Sequence, residues 1–164
     1  MVDRDGPSGG RGVGEGAAAA VNCGAAGAVV AEVAQRASEN LEWLRKGNTG
    51  FGIAPRADYA KTFRQYYANV SSDVAQVHHA VEQQVLTRYP GLVTETELHS
   101  LENLRGIPRG ADGTNLHQSL LRQEWDSFYD TVQRTGRTPT RQDLLDFAKK
   151  VDDKYGSRFV PPVR

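Results

Sequence analysis

Hydrophobic spacing divides the chain into a helical first third, a short mixed centre and a helical end. Residues 17–46 are Ala-rich and gain apolar grip from Leu41, Trp43 and Leu44 before Gly47-Asn48-Thr49-Gly50 stops them, which predicts a helix. Tyr59, Phe63, Tyr66, Tyr67 and Val70 recur at helical spacing after Pro55 and predict a helix over 57–70 with its aromatics in the core. Residues 74–79 (Val-Ala-Gln-Val-His-His) hold valines and no breaker, as a short strand does. A short helix over 81–89 follows, closed by Pro90-Gly91, and Thr94 with Glu97 forms a capping box for a helical turn within 95–101. Residues 103–108 read as a second short strand, ended by Pro108 and a loop over 109–113. Leu116, Leu120, Leu121, Trp125, Phe128 and Val132 mark one face of a helix over 115–134, with Thr114 or Asn115 as N-cap and Gly136 as stop. A last helix over 141–154 starts at Thr140 and carries Leu144, Leu145, Ala148 and Val151 as its stripe. The fold class is therefore α+β and mostly helical, with two short strands.

Composition adds a boundary. Residues 1–16 are Gly-rich with scattered charge and cannot bury enough surface to offset ordering, so they read as a flexible linker. The expected division is 1–46, a linker with a small-residue helix, and 47–164, the functional domain. A length of 164 residues suits one core of ordinary size beside such a leader. The single cysteine, Cys23, excludes an internal disulfide and a thiolate zinc site. Met1-Val2-Asp3-Arg4-Asp5-Gly6 lacks the basic start of a secretory leader, and Asn22 and Glu32 interrupt the apolar run 17–34, so neither a signal peptide nor a membrane span is expected. Formal net charge is zero, from 20 basic and 20 acidic residues, so binding of a polyanion would need local rather than global positive charge.

All four histidines, His78, His79, His99 and His117, fall within one window of the sequence. Strand, strand and helix, with histidines on the first strand and the helix, make a compact way to hold one metal ion. Hydrolysis of a phosphodiester needs an activated water, charge stabilisation at phosphoryl oxygens and help for the leaving oxygen. A neutral imidazole serves the first need, and a divalent ion serves the others. Adjacent strand residues point to opposite faces, so one of His78 and His79 faces the ion and the other faces the water. His117, expected in the first turn of its helix, would be kept neutral by the helix dipole at an end that also attracts phosphate. Arg105, Arg109 and Arg122 are the candidates for phosphate contact. His99 is expected at the surface.

The ordered set His78-His79, Glu102-Asn103-Leu104 and His117 resembles the HNH (ββα-metal) endonucleases. The stretch Leu101–Pro108 together with Leu116–Tyr129 is similar to the nuclease tips of bacterial polymorphic (Rhs- or contact-dependent) toxins, and the resemblance covers roughly 74–132. It implies a small ββα-metal core. Within it His78 is a metal ligand and His79 the general base, Asn103 holds the base and its loop, and His117 is a second ligand. The resemblance further implies a domain delivered into the cytoplasm of a neighbouring cell, cutting nucleic acid (DNA before RNA), with a cognate immunity protein as partner. Two positions depart from the pattern: Ala80-Val81-Glu82 stands where many members have proline, and Leu120-Leu121 where many have another histidine. The third ligand is thus open among Asn103, Asn115 and water, and Mg²⁺ or Mn²⁺ fits two imidazoles with oxygen ligands as well as Zn²⁺ does. Two other readings stand beside this one. One is a metal-dependent RNase on the same scaffold. The other is a non-catalytic helical interaction domain with Trp125, Phe128 and Tyr129 as its exposed face.

Overall fold

Two short strands carry the histidine pair. In the computed structural model, β1 (Ala75–His79) and β2 (Leu104–Pro108) pair antiparallel, with His78 opposite Arg105 and His79 opposite Leu104. Val77 and Ile107 supply the β-branched positions, and Pro108, which has no N–H for a ladder, closes β2. Gly106 lies in the middle of β2 because the chain end crosses it. Val160 N–H donates to the Gly106 carbonyl at 2.8 Å, and a Cβ at 106 would fall on the Val160 carbonyl oxygen.

The structure describes the backbone of residues 19–164 and the side chains of 25–164, so the linker expected over 1–16 lies outside the described residues. The helices of the described residues are α1 (Ala19–Arg45), α2 (Tyr59–Tyr66), α3 (Val85–Arg88), α4 (Glu95–Leu98), α5 (Ala111–Asn115), α6 (Arg122–Thr135) and α7 (Arg141–Tyr155). The protein is mostly helical α+β. Capping boxes at Thr94/Glu97 and Thr140/Asp143 start α4 and α7. Among the described residues no helix is long and apolar enough to cross a membrane.

The chain divides into two units, Met1–Glu32 and Val33–Arg164. In the first, the described side chains from Ala25 onward are exposed, Val29 and Val30 among them. The boundary lies inside α1 rather than after it at residue 46. The reason is burial: Ala37, Asn40 and Leu44 are covered in the second unit, and Asn40 donates to the Tyr67 hydroxyl at 2.9 Å.

Three apolar clusters hold the second unit. Phe63, Tyr67, Val70, Leu101 and Leu104 pack with Ala37, while Leu44, Ile107, Leu116 and Leu121 meet Val151 and Phe159. Trp125 and Tyr129 pack with Val81, Val85 and Leu144. Trp125 is fully buried and Tyr129 is 4% exposed, so these rings are core and do not form an open docking face.

The third helix region departs from its expected start. Gly110, at φ 104°, turns the chain, and α5 begins at Ala111, ahead of the expected Thr114 or Asn115 cap. A π-helical stretch, Leu116–Leu121, then joins α5 to α6 without a break. Gly113 is required here, since a Cβ would fall on the Pro108 carbonyl oxygen.

Candidate active site

Strand alternation sends the two adjacent histidines to different neighbours. His78 meets His117 of the π-helical stretch, with ring centres 5.1 Å apart and planes at 86°. His79 meets Tyr59 at 4.4 Å and His99 at 5.2 Å, and Tyr59 and His99 stand 5.1 Å from each other. These three rings come from the start of α2, the end of β1 and the end of α4, and they close a triangle. The Gln83 amide nitrogen lies 3.1 Å from His79 Nδ1 and donates to it in the tautomer protonated on Nε2. A cavity of about 470 Å³ opens on this group, and His78, His79, His117, Tyr59, Arg64 and Arg109 all line it.

The electrostatics favour neutral rings. Burial holds His78 well below the ordinary histidine range, reinforced by its neighbours His117, His79 and Arg105. Burial pushes His79 down to about 3, with repulsion from His99 as the second cause. His117 is lowered by burial alone. Its position six residues beyond the start of α5 removes it from a helix terminus, so neither the dipole nor an N-terminal phosphate site acts as expected. Glu82, the carboxylate of the cavity wall, is raised to about 7 by burial and accepts from the Tyr129 hydroxyl at 3.4 Å.

The arginines separate. Arg105 is buried with its guanidinium closed on Asp152 of α7, Nε to Oδ1 at 3.0 Å and a second nitrogen to Oδ2 at 2.6 Å, and it also donates to the Glu102 carbonyl. It forms a buried ion pair and is not among the residues that line the cavity, which leaves it no place as a phosphate contact there. Arg122 is exposed and pairs with Asp126 at 3.9 Å, away from the cavity lining. Arg109 does line the cavity, anchored by Nε donation to the Ser72 carbonyl at 3.0 Å. Arg64, also on the wall, had no signal in the sequence beyond a helical position.

Asn103 does not line the cavity. Its Oδ1 accepts from Val81 N–H at 2.8 Å, and its amide donates to the Val81 and Leu98 carbonyls at 3.2 and 2.9 Å. The side chain thereby ties the turn after His79 to the end of α4, fully buried and outside the cavity lining. Asn103 is a positioning residue. Asn115 is exposed. His99, expected at the surface, is 6% exposed, and its Nδ1 has no hydrogen-bond partner among the described residues.

The His78 and His117 ring centres, 5.1 Å apart and edge to face, have the spacing of two packed aromatic rings, and two imidazoles on one ion, with nitrogens at about 2.1 Å, would have nearly the same spacing of about 5 Å. Among the described residues no group of three or more His, Cys, Asp or Glu is arranged to hold a metal. No family model, curated protein or solved structure matches the chain.

Proposed function

We propose that this protein is a metal-dependent endonuclease that hydrolyses nucleic-acid phosphodiesters, DNA in the first instance. The observation that carries the reading is the meeting of the His78 and His117 rings in a cavity that His79 also lines. Held by His78 and His117, a divalent ion (Mg²⁺ or Mn²⁺, with Zn²⁺ as a further candidate) would supply Lewis-acid stabilisation of phosphoryl charge. In the tautomer with its proton on Nδ1, where the Gln83 amide oxygen can accept it, His79 would take the proton of the attacking water on Nε2 while the water oxygen bonds to phosphorus, the bond from phosphorus to the sugar oxygen breaks and that oxygen takes a proton from solvent. A ring depressed to about 3 is a weak base in the free protein, and an anionic phosphate beside it raises its proton affinity. Arg109 neutralises a phosphate oxygen at the cavity wall. The burial of Trp125 and Tyr129 weighs against the interaction-domain reading.

The resemblance of the motif to polymorphic-toxin tips supports a further part of the proposal: a domain delivered to the cytoplasm of a neighbouring cell, with a cognate immunity protein as partner. The test is digestion of plasmid and of total RNA by the purified protein with Mg²⁺, Mn²⁺, Zn²⁺ or EDTA, beside His79→Ala. Metal-dependent cutting lost in the variant is expected, and the substrate cut separates DNase from RNase. A folded protein that cuts neither and binds no divalent ion overturns the reading.

A further inference from the structure

In a chain whose charges balance, arginines find acceptors. Among the described residues Arg36, Arg105, Arg122, Arg137, Arg141 and Arg164 have carboxylate partners within 4.0 Å. Arg45, Arg56, Arg88, Arg109, Arg134 and Arg158 donate to carbonyl or amide oxygens. Arg64 stands apart. It is half-buried on α2, its Nε is covered with no hydrogen-bond partner among the described residues, and it lines the histidine cavity. Covering a guanidinium donor without an acceptor is unfavourable unless something else satisfies it.

The cavity supplies a reason. Arg64 and Arg109 reach it from different elements, α2 and the loop after β2, and Glu82 is the one carboxylate among the residues that line it. The wall therefore presents two guanidinium cations and three imidazoles against one carboxylate. An oxyanion with several acceptor oxygens matches that set, and a guanidinium satisfies two such oxygens at once through its fork of N–H groups.

The geometry points to Arg64 as a phosphate-contacting residue that, with Arg109, holds the nucleic-acid backbone against His78, His79 and His117. This rests on the nuclease reading and adds to it the residue that grips the substrate. Arg64 is a binding residue, distinct from the imidazoles that would hold the ion and move the proton.

The experiment uses the full chain carrying His79→Ala, so that substrate stays intact, and reads binding of a short labelled DNA duplex by fluorescence anisotropy across a salt series in EDTA. Arg64→Gln is expected to weaken binding about tenfold and to reduce the slope of log K against log salt by about 0.9, as one lost phosphate contact does. Arg64→Lys should keep the slope and lose part of the affinity. Arg134→Gln, on the exposed face of α6, serves as the control and should bind within twofold of the parent. Divalent-ion affinity by calorimetry should be unchanged in Arg64→Gln, which separates substrate grip from damage to the His78–His117 pair. Parent-like affinity and slope in both Arg64 variants would overturn the assignment and leave the nuclease reading standing. A folded parent that binds no nucleic acid would overturn both.

Discussion

The rings of His78 and His117 stand 5.1 Å apart at 86°, although 39 positions separate them in the chain. Each is held neutral by burial, so each offers a nitrogen lone pair at pH 7 without first losing a proton. His117→Ala should weaken Mn²⁺ binding about tenfold or more, with the fold retained because His117 is only half-buried. Calorimetric titration is the measurement, and an unchanged isotherm would remove His117 from the site.

His79 is wedged between Tyr59 and His99, which limits the orientations its ring can take. Loss of a proton-transfer group costs roughly 10² to 10⁴ in rate. His79→Gln, which keeps much of the volume, should lose cleavage by at least about 100-fold on that basis and melt as a folded protein. His99→Phe keeps a ring against Tyr59 and should preserve most of kcat, whereas His99→Ala opens a gap beside His79 and should lower kcat more than it raises KM. Full activity in His79→Gln would end its assignment as base.

The Arg105–Asp152 pair is sealed from solvent on both sides. Removing one member strands the other, a loss of about 3–5 kcal/mol. Asp152→Ala should show that loss in urea unfolding, and Arg105→Met combined with Asp152→Leu should recover much of it. A small stability change in Arg105→Met with a large loss of nucleic-acid affinity would return Arg105 to the substrate side.

Asn103→Ala leaves one N–H and two carbonyls without their partner in a fully buried position. The expected cost is about 3 kcal/mol, with activity falling partly through the loosened turn after His79. A variant as stable as the parent would mean that this turn is held by other contacts.

Stability should rise with pH between about 4.5 and 6.5. His78 and His79 have depressed values in the folded state, so the unfolded chain binds more protons as pH falls below the ordinary histidine value. Their contribution is whole above about 6.5 and fades toward the folded value of about 3 for His79. Glu82 acts the opposite way. Raised to about 7, it binds a proton in the folded state over the same window and flattens the rise. Glu82→Gln should therefore steepen the pH dependence of the urea midpoint, and a flat profile in that variant would contradict neutral buried histidines.

Local signals in the sequence are enough for the strands, the Thr94–Glu97 capping box, the helix start at Thr140 and the packing of Phe63, Tyr67 and Val70. They rest on valines without a breaker, a three-residue spacing and helical period, all visible within a few positions. Other features depend on distant partners. Arg105 reads as a phosphate contact until Asp152, 47 residues away, closes on it. His99 reads as exposed until Tyr59 arrives from α2. Asp112-Gly113 looks like loop, yet Gly113 is helical because only a residue without Cβ can pass the Pro108 carbonyl. The early start of α5 then moved His117 off the helix terminus where the sequence had put it.

The π-helical stretch Leu116–Leu121 works as a phase adjuster. His117 enters it facing His78, and Trp125 leaves it in α6 facing the apolar core. The wider turn adds the residue that lets one rod serve two directions at once. Winding the same residues as ordinary α-helix, at about 100° per residue, would turn Trp125 out of its socket if His117 stayed beside His78. The wide turn and the residue count of this stretch are therefore tied together, and removal of one residue is the change that ordinary winding could absorb.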